Sequence, residues 1–483
     1  MSILRTKSVE DVLARGEAGG GLRRRLGPLS LMGFGIGIVI GTGIFTLTGV
    51  EARDHAGPAV TVSFLLAGVA SLLAALCYAE LASSVPTAGS AYTYAYATMG
   101  EIFAWIIGWD LVLEFALGAA VVARGWSGYL ASLFDLPSSL FGEDSVVNVG
   151  AILITLALGA VATVGIQQSS RVTNVLVVVK VGICVFVVVA GLFFLDAANL
   201  TPFVPPSQPT DASEPGLTQP LSQLLFGIEP SAFGITGVLT AAAVVFFAYT
   251  GFEAVANLGE ETRKPSRDLP LGLFGTLGVS AVLYVAVSFV VVGMVDYRQI
   301  DPGAPIASAF ESVGAGWASH LVSIAAVAGL TSVILVDIVA IGRIGFAMSR
   351  DRLLPPSVGR IHPRWGTPYR TTIAVTAGVA LLAGFVPLSS LANLVSIGTL
   401  FAFVTVSIAV PVLRRTRPRL RRPFRVPFSP VVPVLSALAC LYLMTNLSVE
   451  TWLRFLAWLA LGMVVYLAYG HRQASLRDVS SPS

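Results

Sequence analysis

The sequence predicts an all-α polytopic membrane protein of twelve transmembrane helices, built as a five-plus-five inverted repeat with two further C-terminal helices. Three observations predict it. Over 483 residues the chain is 55% hydrophobic and 12% charged, where soluble domains carry about 25% charged residues. Apolar runs of about 20 residues, each long enough for a hydrocarbon core of about 30 Å, recur along nearly the whole chain. A connection near residues 197–232, rich in Pro, Ser and Thr and free of Lys and Arg, divides five spans from the next seven.

The spans fall near residues 29–54, 58–84, 98–132, 147–167, 172–196, 233–259, 269–296, 314–350, 371–387, 389–413, 428–447 and 452–470. The expected domains are a cytosolic N-terminal arm (1–28), a first five-helix repeat (29–196) and an external connection (197–232). A second, inverted repeat (233–413), a basic cytosolic loop (414–427), helices 11 and 12 (428–470) and a cytosolic tail (471–483) follow. The first 28 residues are polar and lack an apolar region with a small-residue cleavage site, so the arm is expected to stay cytosolic. Cys77, Cys184 and Cys440 lie in apolar spans without metal-type spacing and read as small buried apolar residues.

With an even number of spans both termini share one side, and that side collects 24 of the 30 Lys and Arg. The opposite loops hold Arg53, Arg298 and Arg454, while Arg124, Lys180 and Arg343 fall within spans. The positive-inside rule then places both ends in the cytoplasm, with the cell (plasma) membrane as the expected location. The run RRTRPRLRRPFR (residues 414–425) reads better as a topology determinant than as a patch for nucleic acid or anionic lipid.

The first span opens with GFGIGIVIGTGIF (33–45), in which each glycine costs roughly 0.8–1.0 kcal/mol against Ala in a helix interior. Gly33, Gly37 and Gly41, spaced by four, would share a face where a neighbouring backbone can approach closely. Gly35 and Gly43 fall off that stripe. A dinucleotide fingerprint fails, because Ile38, Ile40 or Thr46 occupies the position of its third glycine. The remaining reading is a helix that stops near Gly41 and restarts near Ile44, freeing N–H groups on one side and carbonyls on the other. A zwitterionic amino acid matches that pattern, its carboxylate on the amides and its ammonium on the carbonyls. AYTGFE (248–253), in the first span after the long connection, repeats Thr-Gly followed by a large apolar residue. Matching interruptions in inverted repeats are a recurrent transporter design.

With both interruptions in view, the chain resembles the amino acid-polyamine-organocation (APC) transporters, and within them bacterial relatives of cationic amino acid transporters. The resemblance covers nearly all of residues 28–412. It is carried by GIGIVIGTGIF, GWDLVLEFALGAAVVARGWSGY from Gly108, SSRVTNVLVVVKV leading into the fifth span, and FFAYTGFEAVANLGEETRKPSRDLP from Phe246. GRIGFAMSRDRLLP, HPRWGTPYR and LVSIGTLFAF follow in family order. It implies alternating access by rocking of a bundle that contains the first and sixth helices. It further implies a substrate site at Val39, Ile40, Gly41, Thr42, Gly43, Ile44, Phe247, Ala248, Thr250 and Gly251. The amides of Thr42, Gly43 and Ile44 would hold the carboxylate, the carbonyls of Val39, Ile40, Phe247, Ala248 and Thr250 the ammonium, and Phe247 would serve as a gate. Glu253 stands where many relatives have Asp, and a carboxylate in the first turn of a half-helix complements the dipole there.

Lys180 lies about 13 Å along its helix from Arg171, and an intramembrane lysine is a functional candidate by default. The resemblance implies that its ammonium fills the place where sodium-coupled relatives bind a cation between the first and eighth helices. Proton coupling follows as the expectation, with the carbonyl of Ile40 or Gly41 as partner. Glu114 sits mid-way along the third span with Asp110 one turn below it. Arg124, about 15 Å further and on another face, cannot pair with Glu114 on one straight helix. In the family the Glu114 position lies at the side-chain end of the pocket, where it could receive a basic side chain or hold structure through hydrogen bonds. Asp337 has no evident partner in sequence, and Arg343, near Arg350, reads as interfacial.

The expected function is a secondary active amino acid permease, proton-coupled, with an amino acid/polyamine antiporter or a non-transporting nutrient receptor as alternatives. No catalytic pair at matching depth points to an enzyme. The expected partners are an amino acid, protons and the lipid bilayer; no cofactor, metal or nucleic acid is expected, and no oligomeric state is read from the sequence.

Overall fold

The computed structural model describes residues 26–85, 90–143, 145–165, 170–209, 216–229 and 231–471. Residues 1–25 of the expected N-terminal arm and the tail from 472 lie outside the described residues, as does Ser169 of the motif that leads into the fifth span.

The principal helices are α1 (Pro28–Val39), α2 (Val60–Ser84), α3 (Ser90–Thr98), α4 (Glu101–Phe134), α5 (Val149–Val164), α6 (Ser170–Gly191) and α7 (Gly234–Val245). They continue with α8 (Pro265–Met294), α9 (Gly316–Arg350), α10 (Tyr369–Phe385), α11 (Leu388–Thr416), α12 (Val431–Thr445) and α13 (Val449–Val465). Among the described residues, 8 helical segments are long and apolar enough to cross a membrane, and Pro28–Val39, Val149–Val164, Tyr369–Phe385 and Val431–Thr445 are shorter apolar helices. A two-stranded antiparallel ribbon, β1 (Gln208–Pro209) and β2 (Ser231–Ala232), pairs Gln208 with Ala232 in the long connection.

The long helix α4 is the centre of the packing, against α9, α11, α5 and α10; α8 packs on α2 and α1. Large apolar side chains such as Leu153, Val178, Val282 and Leu438 point outward. Ser, Thr and most intramembrane charges are turned inward, the distribution a bilayer selects. Small residues set the closest approaches. At Gly159 of α5 an added Cβ would lie 2.1 Å from Cγ2 of Thr376 in α10.

Two buried charges fasten helix ends. Arg124 of α4 donates to the carbonyls of Ala383 (2.9 Å) and Gly384 (3.4 Å) at the end of α10, and to Glu143, both its carbonyl (3.1 Å) and its carboxylate (3.4 Å). Glu143 in turn accepts from the Leu388 amide at the start of α11 (2.6 Å). The guanidinium thus satisfies C-terminal carbonyls that have no intrahelical donor. Glu80, near the end of α2, accepts from Arg414 Nε at 2.8 Å and from the Val426 amide at 2.7 Å, and lies 3.6 Å from Arg422. The basic loop is therefore bound to the bundle at one buried carboxylate. At the other edge, Trp109 and Trp458 stack and exchange indole-to-carbonyl hydrogen bonds, which fixes α13 to α4.

Removing one member of a buried charge network costs roughly 3–5 kcal/mol. Arg124→Leu is expected to lower the thermal unfolding midpoint in detergent by many degrees, whereas Arg343→Leu, at an exposed position of α9, shifts it little. Equal midpoints for the two variants would show that the Arg124 network contributes nothing.

Candidate functional site

Two interruptions organise the centre of the bundle. After α1 the chain leaves helical geometry at Ile40 (φ −73°, ψ 96°) and resumes at Thr42, running into a π-helical turn at Gly43–Leu47. The break is thus shorter than the sequence indicates, falling at Ile40–Gly41 rather than reaching Ile44. A π turn takes up the residual misfit in place of a longer unwound stretch. The second break follows α7, where a tighter turn at Phe246–Tyr249 gives way to extended Thr250 (ψ 152°) and left-handed Gly251 (φ 99°) before Phe252–Glu261.

The breaks lie against each other. A Cβ on Gly43 would stand 2.3 Å from Cα of Ala248, and one on Gly251 would stand 2.5 Å from Cγ2 of Ile38. Gly251 is further required by its positive φ. These contacts correct the expected role of the glycine stripe. Gly33 has nothing within 4 Å and Gly41 only ordinary contact at 3.7 Å, although Gly37 does meet Val177 at 2.9 Å. Off the stripe, Gly35 meets Thr276 of α8 at 2.3 Å and Gly43 meets Ala248. The four-residue spacing assumes one uninterrupted helix with one neighbour, whereas the segment is broken and packs on different partners before and after the break.

Neighbouring side chains satisfy the groups that the breaks release. Glu253 accepts from the Gly251 amide with both carboxylate oxygens, each at 3.0 Å, which places its charge at the start of the second half-helix as its position predicts. Tyr284 of α8 donates to the Val39 carbonyl at 2.6 Å. The Phe247 carbonyl takes both the amide (3.0 Å) and the hydroxyl (2.8 Å) of Thr250, so two donors already occupy it. Tyr129 of α4 donates to Phe45 beyond the first break.

Between the breaks and α4, α9 and α11 lies a cavity of about 30 Å³, room for a few ordered waters. Val39, Gly41, Thr42, Gly43, Phe247, Thr250 and Gly251 reach its wall, as does Glu114. Ile40, Ile44 and Ala248 do not; their side chains are buried in the core behind it. Glu253 and Asp337 complete the polar lining, with Phe115, Gly118, Val122, Val333 and Val395 on the apolar side. Asp337, open in sequence, is thus a wall residue facing Gly118, where an added Cβ would approach its Oδ2 to 3.4 Å. Helical spacing from Glu114 reaches Gly118 and Val122 on one face, a signal in the sequence that went unused; Val395 carried none.

Lys180 is fully buried on α6 and donates to the Gly37 carbonyl at 2.6 Å. It lies between α1 and α9, since a Cβ on Gly329 of α9 would meet its stem at 3.0 Å. The expected carbonyl of Ile40 or Gly41 is corrected to that of Gly37. Because the helix ends at Val39, the carbonyls of its last turn lack their usual i+4 donors and become acceptors for a side chain.

The amino acid permease family profile matches residues 26–467, and the chain belongs to that family, part of the APC superfamily. It is 41% identical over 485 residues to the methylthioribose transporter of Bacillus subtilis, covering 98% of this chain and 99% of that one. It is 40% identical over 490 residues to the branched-chain amino acid permease BcaP of the same organism, covering 99% of each. Cationic amino acid transporter 4, vacuolar, of Arabidopsis thaliana is 38% identical over 427 residues, which is 86% of this chain and 68% of the relative. The protein is a multi-pass membrane protein of a transporter family and not an enzyme.

The contact between the breaks yields a direct test. Gly43→Ala, which must push Ala248 backbone aside, is expected to reduce ligand binding or uptake at least tenfold, while Gly33→Ala stays near wild type in the same assay. Comparable activity in both variants would show that the close approach at Gly43 is dispensable.

Proposed function

We propose that this protein is a proton-coupled amino acid permease of the plasma membrane that binds its substrate between the two helix breaks. The twelve-helix reading joins α1 with the segment after its break, and α7 with Phe252–Glu261, as single interrupted spans. α3 then leads into α4 as re-entry to the third span. On this reading the spans before and after the long connection form two inverted five-helix units, α12 and α13 stand outside them, and both termini are cytoplasmic.

The observation that carries the proposal is the shared cavity wall. Both breaks meet in it, with amides that begin a half-helix at Thr42 and Gly43 and three carboxyl groups from Glu114, Glu253 and Asp337. No Lys, Arg or His is among the lining residues. The substrate carboxylate takes the half-helix amides of Thr42 and Gly43, where the dipole favours an anion. The ammonium takes the opposite side, at the remaining lone pair of Val39 and at Thr250, and Phe247 closes over it. An acidic wall favours a ligand with an ammonium group over a neutral sugar thioether of the methylthioribose kind. Charge-assisted hydrogen bonds of this sort contribute roughly 1.5–3 kcal/mol each.

Coupling rests on Lys180. Its ammonium links α6 to the last turn before the first break, so loss of its proton removes a charged donor from the segment that must rock. Reconstituted in liposomes, the wild type is expected to accumulate amino acid under an imposed proton gradient, and Lys180→Ala to lose that accumulation at least tenfold while retaining counterflow exchange. Proton-driven uptake at the normal rate in Lys180→Ala would refute the coupling role, and uptake driven by sodium alone would refute proton coupling altogether.

Glu114 decides between two side-chain classes. If it receives a basic side chain, Glu114→Gln weakens arginine or lysine uptake several-fold more than alanine uptake. Equal losses would assign it a structural role.

A further inference from the structure

One buried acid is left without a task by this scheme. Asp110 lies on α4 about 14 Å from the start of that helix and has no exposed surface. Neither of its carboxylate oxygens has a hydrogen-bond partner among the described residues. Gly398 of α11 stands opposite, so close that an added Cβ would come within 2.9 Å of Oδ1. The small residue leaves the carboxyl group its space and supplies no donor.

The ionisable groups around it are Glu114, one turn along the same helix, and Tyr78 of α2, on which both acids act. Glu253 and Asp337 bear on Glu114 in turn, and none of these is a cation. The Tyr78 hydroxyl is itself buried without a partner, as is that of Tyr94 on α3. An ionised carboxylate placed among acids and phenols without a donor costs several kcal/mol, a cost that a neutral carboxyl group avoids. Glu253, by contrast, accepts two hydrogen bonds from a backbone amide, and Glu80 has two arginines. Asp110 alone of the three has none.

We propose that Asp110 is a second proton-carrying group of the transporter, protonated in this conformation and releasing its proton through Glu114 to water in the cavity when the bundle rocks. The O–H bond of Asp110 breaks, the proton passes to the Glu114 carboxylate and from there to solvent, and the empty Asp110 is reloaded by the reverse route. This rests on the proton-coupled reading of the previous section and adds a carrier on α4 to Lys180 on α6.

The test is reconstitution of wild type, Asp110→Asn and Lys180→Ala in liposomes, with counterflow exchange as the control for folding and binding. Asp110→Asn is expected to keep exchange within a few-fold of wild type and to lose proton-driven accumulation at least tenfold. An infrared difference spectrum should also show a protonated-carboxyl band in wild type that is absent from the variant. Should Asp110→Asn fail the exchange control, Asp110→Ser, smaller and equally uncharged, is read in its place. A proton-driven wild type together with a fully coupled Asp110→Asn overturns the Asp110 assignment and leaves the coupling reading intact. A wild type indifferent to the proton gradient overturns the coupling reading, and the carrier role with it. Absence of the infrared band overturns the protonated state.

Discussion

The structure depends on the contact between its two helix breaks. Backbone freed from a helix is tolerated at membrane depth only where protein or a polar cavity satisfies it. Each break here would by itself leave a gap in a bundle whose neighbours are otherwise continuous. Setting Gly43 against Ala248 and Gly251 against Ile38 lets one irregular segment fill space beside the other. The remaining open groups then face one small cavity instead of lipid. The absence of side chains at two positions therefore creates the site as much as the presence of any polar residue does.

Around that contact the buried ionisable groups divide into two sets. Arg124 and Glu80 are each matched by several partners on specific backbone or side-chain atoms. They fix helix ends, and a buried charge so satisfied resists rearrangement. Lys180 holds a single carbonyl, while Asp110 has no hydrogen-bond partner among the described residues. Groups with few or no partners lose little when their surroundings move. Arg124 and Glu80 lie where helix ends are anchored, whereas Lys180 reaches the last turn before the first break, the segment that the proposed cycle displaces.

Much of this was legible in the sequence, and the limits have physical causes. Apolar runs located the long helices to within a few residues, because span length is imposed by bilayer thickness, whereas α3 (Ser90–Thr98), too short to span, went unpredicted. The glycine cluster Gly41-Thr42-Gly43 pointed to the first break to within a residue or two, and Thr250-Gly251 to the second, because clustered glycines in an apolar helix need a reason. Long-range contacts were not legible. The Gly37 partner of Lys180 depends on the residue at which α1 stops, and periodicity does not define that. The partners of Arg124 on α10 lie about 260 residues along the chain, and only the tertiary fold brings them together with the nearer Glu143. The glycine stripe misled because a four-residue spacing describes an intact helix and says nothing of one that changes partners at a break.

The bond from Lys180 to Gly37 ties the chemistry of a proton to the geometry of a helix. The Gly37 carbonyl is available because α1 ends at Val39, so the break that borders the cavity also creates the acceptor for the lysine. An ammonium holds that carbonyl by a charge-assisted bond, stronger than the bond a neutral amine could make. Gly329 leaves room for the lysine stem on the α9 side, so α6 and α9 form a fixed frame against which the last turn of α1 is either held or free. On the proposed reading, substrate engaging the amides beyond the break would pull on the same short segment from its other end. Proton and substrate would then act on opposite ends of two residues, Ile40 and Gly41.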